Sequence, residues 1–306
     1  MSGEMNVFLT GATGYSGQAV AAELVRRGVR VRALVRREVV IPGCETVVGD
    51  IGDVRRFASS VRGSSGVIHL ASARGATKEA VSADVLATRD LIAAWSTGPF
   101  VYPSHATVYG IPERQPLKED HPFDPMLPYD HGKVASEKDV QSAAAKDGRG
   151  PAIVIRPSLI FATNDRRADR QFFSWIYILC RAGKKFVFDS EAGPDTYGAS
   201  FVGDEDYGRA MADSLSLSTS GTYHVASGFC TWRALIGAFD KQLGRQSEFV
   251  VRPGARPESS EEIRIGQSRT ELDTTAFAAA TGFVPRQSME ELVERFVAEE
   301  RRNPLC

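Results

Sequence analysis

Residues 7–17 read Val-Phe-Leu-Thr-Gly-Ala-Thr-Gly-Tyr-Ser-Gly, and this stretch constrains the fold more than any other. An apolar run passes into Gly11, Gly14 and Gly17, then into a segment where Val20 and Leu24 recur at helical spacing among alanines. Gly28 closes that segment, as glycine often closes a helix. A second apolar run, residues 29–35, follows at once. Strand, glycine turn, helix and strand in this order make a βα unit whose glycines have separate tasks. Gly11 allows the tight turn off the strand, Gly14 lets backbone approach a phosphate, and Gly17 lets the helix pack on the sheet. The helix N-terminus presents amide groups and a positive dipole end, which suits a pyrophosphate. The unit therefore predicts a dinucleotide site that includes Thr13, Tyr15 and Ser16. A purely structural βα turn is the alternative.

At 306 residues the chain can form one large domain or two unequal ones with a substantial core. A hydrophobic share of 42% and a charged share of 25% are those of a soluble globular protein. The net charge of −1 gives no reason to expect nucleic acid or an anionic membrane as partner. No apolar run reaches membrane-spanning length, and the first residues lack the basic head and apolar stretch of a secretory signal. Cysteines at 44, 180, 230 and 306 stand far apart, so neither a metal site nor a redox motif is expected. These features together predict a cytoplasmic location.

Beyond the second strand stand Arg36 and Arg37, where an NAD-preferring site would carry an acidic residue. Guanidinium groups suit a 2′-phosphate, so NADP(H) is expected over NAD(H). Residues 45–48 read as a third strand, 53–61 as a short helix, 66–72 as a fourth, buried strand and 77–94 as a long helix. His69, inside the apolar fourth strand, reads as a hydrogen-bonded core residue. Residues 100–110 read as a further strand, and nineteen positions after Gly110 comes Tyr129-Asp130-His131-Gly132-Lys133. Residues four apart share a helix face, so Lys133 sits beside Tyr129, where an ammonium lowers a phenol's pKa and eases proton transfer.

The glycine spacing after Thr10, the run Ser104-His105-Ala106-Thr107-Val108-Tyr109-Gly110 and the Tyr129–Lys133 pair occur together. In these motifs the chain resembles the extended, epimerase/dehydratase-like branch of the short-chain dehydrogenase/reductase family. Matching segments at 200–210, 223–228 and 283–286 extend the resemblance over nearly the whole chain. It implies an α/β fold with a doubly wound parallel (Rossmann) sheet from residues 1–155, with contributions from later segments. A smaller, mixed substrate domain is then drawn mainly from 156–306.

The resemblance also implies roles. Asp50 and Ile51 border the adenine, and Leu70, Ala71 and Ser72 lie where backbone approaches the cofactor. Tyr129 is the proton donor, Lys133 lowers its pKa and holds the nicotinamide ribose, and Arg156 and Pro157 complete the cofactor contacts. This chain departs from the family's pattern at three positions. Asp84 stands where asparagine is usual, so a carboxylate either holds the lysine more tightly or is simply exposed. His105 replaces the serine or threonine that binds the substrate carbonyl, which leaves His105 or Thr107 to do so. Leu159 replaces the asparagine that holds a nucleotide-sugar and cannot supply its hydrogen bonds.

The resulting expectation is an NADPH-dependent oxidoreductase that reduces a ketone or aldehyde of a non-nucleotide small molecule, as monomer or homodimer. A nucleotide-sugar epimerase, dehydratase or 4-ketoreductase is the alternative within the enzyme class. A non-catalytic NADP(H)-binding regulator is the alternative outside it. Residues 164–170 are expected to form a loop over the substrate side, and 171–180 an aromatic-rich helix that either joins the core or lines an apolar pocket.

Overall fold

Val7, Phe8 and Leu9 are wholly buried. The strand that carries them, β1 (Asn6–Thr10), lies inside a parallel sheet covered on both faces, which is why it reads as one continuous apolar run. The computed structural model describes residues 5–72, 77–144, 148–163 and 171–304. The other strands of the first half are β2 (Arg30–Val35), β3 (Cys44–Val48), β4 (Gly66–His69), β5 (Phe100–Pro103) and β6 (Ala152–Pro157). The second half adds β7 (Leu159–Phe161), β8 (Lys185–Phe188), β9 (Gly198–Gly203) and β10 (Gly221–Val225), then β11 (Gly228–Thr231), β12 (Phe249–Val251), β13 (Glu262–Arg264) and β14 (Arg269–Thr270). The helices of the first half are α1 (Tyr15–Arg26), α2 (Ala58–Arg62), α3 (Lys78–Ala94) and α4 (Pro128–Ala144). Those of the second are α5 (Phe172–Arg181), α6 (Gly193–Thr196), α7 (Asp204–Asp213), α8 (Trp232–Leu243), α9 (Thr275–Thr281) and α10 (Met289–Arg302).

The large sheet runs β10-β6-β5-β4-β1-β2-β3, with seven strands and every neighbouring pair parallel. This is the doubly wound order, in which ligands bind outside the carboxyl ends of the strands where the winding reverses, here between β1 and β4. Its core is shared along the chain: Val202, Tyr207, Met211, Val225 and Phe277 pack with Val7, Leu9 and Ile68. Helix α7 lies close on α1 because Gly208 has no side chain; a Cβ there would stand 2.7 Å from the Ala19 carbonyl oxygen.

A second core gathers Phe161, Phe173, Phe186, Phe239 and Phe296, with Phe161 and Phe173 stacked at a centroid distance of 4.0 Å. Most of α5 faces this core, and only Phe172 and Trp175 of its aromatic residues are left partly buried at the edge. Buried Asp206 ties the closing segment down, accepting from Ser227 Oγ, Arg209 and the amides of Arg286 and Gln287.

Two expected elements come out differently. The strand expected over 100–110 stops at Pro103, and residues Ala106–Tyr109 form a 3-10 turn. His105 causes the break, because its ring accepts the Thr107 amide and caps that turn. The helix expected over 53–61 is divided into a 3-10 turn at Val54–Arg56 and α2. Phe57 stands between them in a non-helical conformation, its ring stacked on Phe8 at 5.7 Å. Residues 164–170, expected as a substrate-side loop, lie outside the described residues. Among those described, no helix is long and apolar enough to cross a membrane.

Candidate active site

The glycine turn leaves β1 where a side chain has no room. Gly11 has φ of +76°, and a Cβ on it would lie 2.7 Å from the Ala71 amide nitrogen. Gly17 is equally constrained, since its Cβ would come within 2.1 Å of the Gly11 carbonyl oxygen. Gly14 occupies the N-cap of α1 and brings no capping side chain. This cradle admits backbone only, and the α1 N-terminus opens onto it, an arrangement suited to a pyrophosphate.

A cleft of about 490 Å³ continues from the turn, walled by Gly11, Thr13, Gly14, Arg36, Asp50, Ile51, Leu70, Ala71, Ser72 and Asp84. Asp50 turns its own carboxylate onto the Gly52 amide at 2.8 Å, shaping the end of that wall. Arg36 lines the cleft, whereas Arg37 is exposed and is not among its lining residues. Tyr15 and Ser16 follow in the first turn of α1, half-buried. These surroundings fit a dinucleotide: glycine backbone for phosphates, Asp50 and Ile51 at one end, and a cation beside them.

A smaller hollow opens off the same cleft. Ala71, Ser72 and Asp84 belong to both, and Val81, Thr88, Tyr102, Tyr129, Gly132, Lys133 and Ser136 complete it. Tyr129 and Lys133 sit in the first turns of α4. The α4 helix reaches this position by close approach to α3. A Cβ on Gly132 would lie 2.5 Å from Val81 Cγ1, so glycine is required between the tyrosine and the lysine. Lys133 Nζ donates to the Pro103 carbonyl at 3.0 Å and stands 4.8 Å from the Tyr102 ring centre and 5.5 Å from that of Tyr129. Asp84 accepts from Ser72 Oγ at 2.8 Å.

Electrostatics at Tyr129 run opposite to the simple expectation. Burial raises its phenol pKa more than the Lys133 charge lowers it, so the net shift is upward. The phenol therefore keeps its proton at neutral pH, the state an acid needs. Lys133 limits that rise.

His105 packs edge-on to Tyr129 with ring centres 6.4 Å apart. Its Nδ1 accepts the Thr107 amide at 3.2 Å and lies 3.1 Å from Thr107 Oγ1. Burial, then the Lys133 charge, push the imidazole pKa down to about 4. The ring is neutral at pH 7, and with Nδ1 engaged only Nε2 carries a proton. Thr107 is exposed beside it, while Ser104 is buried and its hydroxyl has no hydrogen-bond partner among the described residues.

Arg156 requires a correction. It was expected among the cofactor contacts, but its guanidinium is buried and committed elsewhere. Nε and Nη2 bind Glu137 at 3.0 and 2.6 Å, and Nη1 donates to Tyr109 Oη and the Glu119 carbonyl. Tyr109 in turn meets His224 Nε2 at 2.6 Å. A charged group that cannot reach water takes the buried carboxylate, so Arg156 anchors α4 to β6 instead of facing the cleft. Pro157 is buried at the carboxyl end of β6, opposite Val225.

Sequence reasoning missed Tyr102, Gly132 and Ser136; His69, read as a hydrogen-bonded core residue, is buried and meets Thr10 and Thr88 beneath the cleft. The helical spacing of Gly132 and Ser136 with Tyr129 and Lys133 was the available signal.

The family model described as NAD dependent epimerase/dehydratase matches residues 7–195. The chain belongs to the NAD dependent epimerase/dehydratase family. Within it, the chain is 30% identical over 159 residues to a UDP-glucose 4-epimerase of Corynebacterium glutamicum, a match covering 47% of this chain and 48% of that protein. It is also 30% identical over 176 residues to 4-hydroxy-2-methyl-3-oxo-4-farnesyl-3,4-dihydroquinoline-1-oxide ketoreductase of Stigmatella aurantiaca, covering 53% of this chain and 52% of the relative. These matches span about half the length of either relative. A short-chain dehydrogenase/reductase superfamily protein of Agrobacterium tumefaciens, solved with bound NAD, superposes with a TM-score of 0.80 at 21% identity over 97% of both chains. The likeness of fold thus extends over the second half as well, beyond the stretch that the family model matches.

Proposed function

We propose that this protein is an NADPH-dependent reductase of a ketone or aldehyde on a non-nucleotide small molecule. One observation carries the reading: the Tyr129–Lys133 hollow opens off the glycine-turn cleft through the shared walls Ala71, Ser72 and Asp84. Gly11, Gly14 and Gly17 would hold the pyrophosphate of a dinucleotide, and Tyr129 and Lys133 would then be the acid and the cation next to its reactive end. Bound NADPH supplies the hydride to the carbonyl carbon. Tyr129, a half-buried phenol whose pKa is raised by desolvation, donates its phenolic proton to the carbonyl oxygen, and alcohol forms. The Lys133 ammonium stabilises the phenolate left behind. Thr107 supplies a hydroxyl next to His105, in the turn that His105 caps.

Arg36 on the cleft wall supports the preference for NADPH, by pairing with a 2′-phosphate. Leu159 supports the non-nucleotide substrate, since it cannot make the hydrogen bonds of the asparagine usual there. The ketoreductase relative is consistent with a carbonyl substrate. The likeness to a UDP-glucose 4-epimerase favours a second reading, in which NAD is retained and recycled. Retention of both Tyr129 and Lys133 argues against a non-catalytic regulator.

The test is steady-state oxidation of NADPH, followed by absorbance, across a panel of ketones and aldehydes, with Tyr129→Phe as control. Turnover that the control abolishes is expected. NAD that remains bound through purification, with epimerisation of a UDP-sugar and no net NADPH consumption, would establish the second reading instead.

A further inference from the structure

His69 is buried inside β4, and the chemistry around its ring is fully specified. Thr88 Oγ1 donates its single proton to the Asp84 carbonyl at 2.9 Å. The contact of 3.1 Å between His69 Nε2 and Thr88 Oγ1 must therefore carry the imidazole's proton. A neutral ring has one proton, so Nδ1 accepts, and the partner at 2.7 Å is the hydroxyl of Thr10. That hydroxyl, with its proton given away, accepts the Ala71 amide at 3.0 Å. Donation runs in one direction into the ring from Ala71 through Thr10, and in one direction out of it through Thr88 to Asp84. Burial, and then Lys133, hold the ring's pKa down to about 3, so the ring stays neutral across the working pH range and its hydrogen bonds fix the tautomer.

The ends of this chain are walls of the cleft. Thr10 immediately precedes Gly11, and the Ala71 amide is the atom that a Gly11 side chain would strike at 2.7 Å. Asp84 and Thr88 belong to the α3 wall of the Tyr129–Lys133 hollow. The His69 ring also lies 5.9 Å from that of Tyr102, over which Lys133 Nζ stands at 4.8 Å.

We infer that His69 is a positioning residue that sets the spacing between the glycine turn, the end of β4 and α3, and through it the affinity of the cleft for its dinucleotide. The inference rests on the cofactor reading above. Leucine at 69 would fill the space, but it would leave the Thr10 and Thr88 hydroxyls without their ring partner and free to turn. The gap at Gly11 would then no longer be held at one width.

NADPH binding by fluorescence titration, at a temperature where circular dichroism shows each variant folded, tests this. His69→Leu is expected to raise the Kd about tenfold or more. His69→Asn, which can still accept from Thr10, is expected to recover part of the loss. Val67→Ala in the same strand removes core contacts without touching this chain of hydrogen bonds; it should lower the melting temperature and leave the Kd within about twofold. Thr88→Val cuts one link only and should give a few-fold loss, which keeps the test open if the leucine variant does not fold. An unchanged Kd in both His69→Leu and Thr88→Val, or an equal loss in Val67→Ala, would overturn the positioning role. A wild-type protein that binds neither NADPH nor NADH would overturn the cofactor reading itself, and this inference with it.

Discussion

The ion pair between Arg156 and Glu137 allows the sharpest test of how the site is held. Both side chains are almost wholly buried, at 3% and 0% side-chain exposure, and three of their contacts fall between 2.6 and 3.2 Å. Glu137→Gln keeps the shape and removes the charge, leaving a guanidinium inside the protein facing a neutral amide. Breaking a buried pair in this way costs about 3–5 kcal/mol. In a protein of this size that corresponds to a fall in melting temperature of roughly 5–8 °C. The assay is urea unfolding followed by circular dichroism, with a lower midpoint and an unchanged slope expected. Replacing both partners by apolar residues, Glu137→Leu with Arg156→Met, should recover much of the loss, because no charge is then stranded. Arg156→Met alone, assayed where it is folded, should bind NADPH within about twofold of wild type, since its guanidinium faces Glu137 and not the cleft. A Glu137→Gln variant that loses less than about 1 kcal/mol, below the range for a broken buried pair, would refute the energetic argument. A large rise in cofactor Kd in Arg156→Met would refute the assignment of Arg156 as an anchor.

Other expectations follow from the same geometry. Tyr129→Phe should bind NADPH nearly as wild type and lose at least about a hundredfold in kcat, because general acid catalysis contributes on that scale; unchanged turnover would exclude Tyr129 as the acid. Arg36→Ala should narrow the preference for NADPH over NADH by about tenfold, the low end for a charge-assisted hydrogen bond at an exposed side chain, and equal wild-type affinities would remove the argument. His105 is neutral well above its depressed pKa of about 4, so turnover should be flat from pH 6 to 7.5; a step there that His105→Asn abolishes would show that the charged form acts. Stability should fall as pH drops below the ordinary histidine value. His69, His105 and His224 are depressed to about 3, 4 and 4 in the folded chain, chiefly by burial. The unfolded chain therefore takes up protons first between pH 6.5 and about 4. Unfolding midpoints that stay constant from pH 6.5 to 5 would contradict this.

Much of the nucleotide half was legible because its signals are local. Continuous apolar runs mark strands covered on both faces, and Gly11 and Gly17 are required by contacts within the turn or with the nearest strand. Tyr129 and Lys133 were legible because helix geometry alone puts them together. Arg156 was misread because its position in a motif says nothing about which way a guanidinium turns; the buried carboxylate of Glu137, nineteen residues away, decides that. The direction of the Tyr129 shift was hidden for a similar reason. The lysine is visible in the spacing, whereas the burial that outweighs it comes from elements far apart in the chain. The end of β5 at Pro103 depended on one imidazole accepting an amide two residues on, which no apolar pattern reports.

The last strand of the large sheet has a consequence for how this protein comes into being. Strand β10 pairs with β6 from Ile153 to Pro157, and the chain supplies it only after β7, β8 and β9 have been made. During synthesis the apolar edge Ile153, Val154 and Ile155 therefore waits without its neighbour, and an open edge of that kind is a template for pairing with other chains. A fragment ending near residue 155 keeps the glycine turn, Tyr129 and Lys133, yet leaves that edge bare and strips α1 of its cover by α7. Such a fragment is expected to aggregate, and the nascent protein to depend on the prompt arrival of its own second half.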